Sequence, residues 1–159
     1  MTMISKNYDV RELVPPEIYN RFGPDSVRYV RQDVVDFLEW ISDYLKVHVI
    51  VNNWHFFLTN PEPTGKEEWF LNGHIYKNSG FRMPDCPEGA NLSQHKFKDA
   101  IDCKASGFET GTIRGIVIEN FESLKERFGV STIEIDTPTW DHVSFCLTGL
   151  DHLLLLPYK

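Results

Sequence analysis

Residues 93–102 read SQHKFKDAID and place His95 and Asp102 seven positions apart. An imidazole nitrogen and a carboxylate oxygen are both donors to a divalent cation. A catalytic zinc typically takes three such protein ligands and keeps one position for water. The separation lets His95 sit in a turn and Asp102 on the strand that follows, with both facing one pocket. A surface loop carrying a His and an Asp by chance is the other reading of the same stretch. A third candidate ligand, His142, stands in TWDHVSF.

Strand alternation gives His142 a neighbour. STIEID and WDHVSFCL alternate in polarity around TPT, the pattern of a β-hairpin with Thr137, Pro138 and Thr139 in the turn. Glu134 then faces His142 across the ladder and Asp136 faces Trp140, so that residues 134, 136, 140, 142 and 144 share one face. Asp141 points to the opposite face. A carboxylate beside a metal-bound imidazole can polarise water or steady the ring. A half-exposed hairpin with a polar outer face is the competing reading.

The elements that must position these residues are legible as patterns. Val27, Val30, Val34, Phe37, Leu38, Ile41 and Leu45 recur at helical steps, predicting an amphipathic helix over residues 25–45 with Asp25 or Ser26 as N-cap. VHVIV at 47–51, bounded by Asn52 and Asn53, predicts a strand. Residues 55–92, rich in Pro, Gly and Asn, predict a long surface loop. A second helix begins near Thr112, buries Ile113, Ile116, Val117, Phe121, Leu124 and Phe128, and ends at Gly129. LDHLLLLP reads as a buried C-terminal strand or core segment. Two helices segregated from a small, mostly antiparallel sheet make an α+β domain, a single one over residues 1–159.

Composition narrows the function classes. The net charge of −7 argues against a nucleic-acid binder held by phosphate contacts. No run is long enough to span a bilayer, so no membrane insertion is expected. The N-terminal residues lack a basic start followed by an apolar stretch, which predicts synthesis in the cytoplasm without a secretory signal. Three cysteines without a CxxC predict reduced thiols, not a disulfide framework. His48, His55, His74 and His152 show no ligand spacing, and NNWHFF reads as core and loop packing.

SQHKFKDAID resembles the Ser-x-His-x-x-Gly-x-Ala-x-Asp signature of the zinc peptidases of the D-Ala-D-Ala carboxypeptidase family, peptidase family M15. SGFR at 79–82 is similar to the Ser-Gly-Tyr-Arg segment before that signature. WDHVSF is similar to the Trp-x-His-Val segment of phage-type members. The three occur in the family's order over about residues 25–147.

The resemblance implies a Hedgehog/DD-peptidase fold and a zinc ion on His95, Asp102 and His142. It also implies that Arg82 stabilises the oxyanion of the tetrahedral intermediate, and that Ser93 supports the site by hydrogen bonding. Two positions depart from the pattern. Lys98 occupies the signature's Gly position, and Thr139 stands where many members carry an acidic base, three residues before the last His. Glu134 is the substitute base and Asp136 the second choice, with Asp136, Ser93 and Trp140 as supporting or substrate-binding residues. The expected activity is zinc-dependent cleavage of peptide bonds in peptidoglycan, by a carboxypeptidase or endopeptidase from a phage. The alternative is a virion structural or attachment protein that keeps the fold as a metal-binding module and has other virion proteins as partners.

Overall fold

A computed structural model describes residues 2–59 and 73–158. A five-stranded mixed sheet carries several helices, within the broad α+β class. The strands are β1 (Val49–Ile50), β2 (Ala100–Ala105), β3 (Thr132–Glu134), β4 (Asp141–Ser144) and β5 (Leu154–Leu156), in the order β1-β2-β4-β3-β5. The first three pairings across the sheet are antiparallel, whereas β3 and β5 run parallel.

The helices are α1 (Pro16–Phe22), α2 (Gln32–Leu45), α3 (Trp54–Thr59), α4 (Thr112–Glu119) and α5 (Phe121–Phe128). The apolar stripe of α2 packs with Ile113, Val117, Leu124 and Phe128 onto Ile101, Cys103, Ile133 and Val143, the inner face of the sheet. Phe37 meets Phe128 and Phe145 edge-on, with ring centroids 6.1 and 5.4 Å apart. Each large apolar side chain buried here contributes roughly 1.5–3 kcal/mol. The opposite face of β2, β4 and β3 is thereby left for chemistry.

Both predicted helices are interrupted. The first begins at Gln32, not at residue 25, because Val30 and Arg31 are extended and a separate 3₁₀ segment covers Gly23–Tyr29. Neither Asp25 nor Ser26 caps it. Ser26 is buried and donates to the Ile18 carbonyl at 3.3 Å, while Arg31 holds the N-cap position and pairs with Asp33 and Asp99. The second helix breaks at Asn120, whose side-chain amide donates to the Ile116 carbonyl at 2.9 Å. Its predicted apolar face is buried, and Gly129 ends it with φ 73°, a left-handed cap.

The strand at 47–51 shrinks to Val49–Ile50. The predicted loop at 55–92 begins inside α3. Residues 60–72 of it lie outside the described residues, and 73–92 run without regular strands or α-helix. β5 is a strand, but an edge one, with Leu155 49% and Leu156 38% exposed.

Candidate metal centre

β2 and β4 are neighbours in register, so Asp102 stands directly opposite His142. Their side chains meet, with His142 Nδ1 2.7 Å from Asp102 Oδ1. His95 comes from the 3₁₀ turn Gln94–Phe97 just before β2, the turn-then-strand arrangement expected of the seven-residue spacing. It is buried, and its Nε2 lies 3.3 Å from the same Asp102 oxygen. One ligand atom from each of the three lies within 4.8 Å of the others, a group able to hold a metal ion.

The outer nitrogens of the two rings are tied down. His95 Nδ1 lies 2.9 Å from the Gly80 carbonyl, which only accepts, so this nitrogen carries the proton. In the neutral ring Nε2 is then bare and faces a carboxylate oxygen, a contact between lone pairs that needs a proton or a cation between them. His142 Nε2 lies 2.9 Å from Ser144 Oγ, two residues along the same face of β4. The Ser144 hydroxyl donates when the proton sits on Nδ1 and accepts when a cation takes that place. Such outer partners fix ring orientation at metal-bound histidines. Burial raises the Asp102 carboxyl, but the His95 and His142 imidazoles outweigh it and hold the group well below the usual carboxylate range.

Arg82 joins the cluster. Its Nη2 donates to Asp102 Oδ2 at 2.8 Å and its Nε to the Asn78 carbonyl at 2.6 Å. Two buried asparagines that close β1 hold this segment in place. Asn52 Oδ1 accepts from the Ser79 amide at 2.9 Å, and Asn53 Oδ1 accepts from the Tyr76 amide at 2.6 Å. The Gly89 backbone, at φ 76°, passes so close that a Cβ there would lie 2.7 Å from Arg82 Nη1 and 3.4 Å from Ser93 Oγ. In the sequence the asparagines mark only a strand boundary, and nothing there signals the bond between Ser144 and His142.

Extending the β3–β4 register by one residue sets Glu134 opposite His142, as the hairpin pattern predicts. Glu134 lines the same cleft of about 1030 Å³ as His95, Asp102, His142, Arg82 and Ser93. Trp140 and Thr139 line it too, and Trp140 meets Tyr158 edge-on at 5.3 Å. Asp136 is exposed and stands outside the lining. Asp141 points to the other face, where its carboxylate accepts from the Gly111 and Ile113 amides at 2.9 and 3.3 Å and so caps α4. Lys98 adopts φ 68°, a left-handed backbone that glycine takes at no steric cost, and its ammonium turns to the Arg28 carbonyl at 2.8 Å. Gln94 adds a buried side-chain carbonyl oxygen without a hydrogen-bond partner among the described residues.

No family model, curated protein or solved structure matches this chain.

Proposed function

We propose that this chain is a zinc-dependent peptidase of the Hedgehog/DD-peptidase type, acting on peptide bonds in peptidoglycan. One observation carries the reading: two imidazole nitrogens converge on one oxygen of the half-buried Asp102 carboxylate, and each ring's outer nitrogen is already committed. That donor set, two nitrogens and an oxygen, fits zinc with room left for water. His95 Nε2, Asp102 and His142 Nδ1 would hold the ion, which when bound supplies a Lewis acid next to the scissile carbonyl.

The chain's own residues account for the rest. Glu134, one strand over from His142, takes the proton of the attacking water and returns it to the leaving amine. Arg82 holds Asp102 from its far side and brings a fixed positive charge beside the carbonyl oxygen, where charge develops in the transition state. Ser93 and Trp140 border the cleft in which the peptide lies. Metal analysis of the purified protein, paired with digestion of muropeptides, tests the reading. Stoichiometric zinc with released peptide fragments supports it, and a protein that neither retains nor responds to zinc rules it out.

Thr139 favours a second reading, because it cannot accept a proton where the resembling enzymes carry an acid. In that reading the chain is a phage virion structural or attachment module, with virion proteins as partners. Tight zinc binding without any cleavage would favour it.

A further inference from the structure

Extending the β2–β4 ladder by one pair past Cys103↔Asp141 sets Lys104 opposite Trp140. Lys104 is two residues beyond Asp102, hence on the same face and about 7 Å along the strand. It lines the cleft and is half-buried. Its ammonium donates to the Thr139 carbonyl and sits 5.1 Å from the centre of the Tyr76 ring and 6.0 Å from that of Trp140. These contacts fix the group in place yet use only one of its three N–H donors. Among the described residues no carboxylate lies within ion-pair distance of it, and Asp102 and Asp141 act on it only from farther away. Arg82, which also lines the cleft, already pairs with Asp102.

We propose that Lys104 selects the substrate, binding a peptide carboxylate about one residue beyond the bond that is cut. The inference rests on the peptidase reading for the position of that bond. A held ammonium with two donors unpaired among the described residues, between aromatic walls, matches an anion, and 7 Å along the sheet matches roughly one to two residues of extended peptide. The carboxylate has two sources, the terminal α-carboxyl of the leaving residue or an acidic side chain at that residue.

Four versions of one short peptide separate them: free terminus or terminal amide, each with Glu or Gln at the leaving position. Wild type is expected to favour one carboxylate over its amide by about 10–100-fold in kcat/KM, in line with a charge-assisted bond. Lys104→Met should bring that ratio close to one, and Lys104→Arg should restore part of it. Equal cleavage of acid and amide by wild type, or an unchanged ratio in Lys104→Met, overturns the assignment. Calorimetric titration of the zinc-treated proteins with the same peptides in non-cleavable reduced-bond form reads the same preference without turnover. If nothing is cut but the acid still binds more tightly through Lys104, the peptidase reading fails and the carboxylate site stands. If neither assay separates acid from amide, the site fails on its own.

Discussion

Asp102 and His142 face each other across two antiparallel strands, and one carboxylate oxygen of Asp102 receives both His142 at 2.7 Å and His95 at 3.3 Å. The strand register therefore assembles the Asp102–His142 pair, and the segments before β2 add His95 and Arg82.

A cation bound by His95, Asp102 and His142 should stabilise the folded state. With zinc at about 1,000 times its Kd, the gain is about 4 kcal/mol, or roughly 10 °C in Tm for a chain of this size. His95→Ala and His142→Ala should lose that gain. Ser144→Ala keeps all three ligands but frees the outer nitrogen of His142, and should weaken zinc about 10–100-fold in chelator competition. An unchanged affinity in Ser144→Ala would show that the hydroxyl does not orient the ring.

Arg82 is bound to Asp102 as well as close to the cleft, so its loss should register twice. Arg82→Ala should lower turnover about 10²–10³-fold, as loss of an oxyanion donor does. It should also destabilise the metal-free protein by about 1–3 kcal/mol, because the half-buried Asp102 carboxylate loses a charge-assisted bond while keeping His95 and His142. Zinc should recover much of that stability but not the rate. Arg82→Lys should recover only part of either, since a single ammonium cannot serve both Asp102 and the Asn78 carbonyl. A zinc-loaded Arg82→Ala protein with the wild-type rate would confine Arg82 to holding Asp102.

The hairpin register separates three acidic residues. Glu134→Gln should retain zinc and fold while losing nearly all cleavage, since the amide cannot take the proton. Asp136→Asn should be milder, because Asp136 is exposed outside the cleft lining. Asp141→Asn should leave the rate alone yet cost about 1 kcal/mol of stability, because the carboxylate caps α4. Urea melts beside muropeptide assays read both effects.

Much of the site was readable because its spacing follows from strand geometry. Period-two alternation places Glu134, His142 and Ser144 together, and the motif order adds His95, Asp102 and Arg82. What was not readable depends on contacts distant in sequence. Asn52 and Asn53 mark a strand end in any sequence, but their backbone partners lie more than 20 residues away. The helical period runs unbroken through Val30, and the break there comes with Arg31 reaching to Asp99 and the Phe145 carbonyl. Lys98 could not reveal its left-handed backbone, since lysine takes that conformation at a cost of about 1 kcal/mol only where the surroundings require it.

His55 gives the protein a pH dependence away from the metal cluster. Burial pushes its imidazole down to about 4, with Arg11 and His48 adding to the shift and Asp9 opposing it. In the unfolded chain the ring titrates near 6.5. The folded state thus binds fewer protons between these values, and stability falls as pH drops. The contribution is complete above about pH 6.5 and is lost progressively down to pH 4, with a slope of at most about 1.4 kcal/mol per pH unit. Asp102 shifts downward as well, but from the ordinary carboxylate value, so its own loss begins only near pH 4 and below. Urea unfolding of the metal-free protein at pH 7, 5.5 and 4.5 should show the wild type weakening steadily. His55→Gln, which has no proton to take up, should flatten the curve over this interval. Parallel curves for the two proteins would mean that His55 is protonated alike in the folded and unfolded chain.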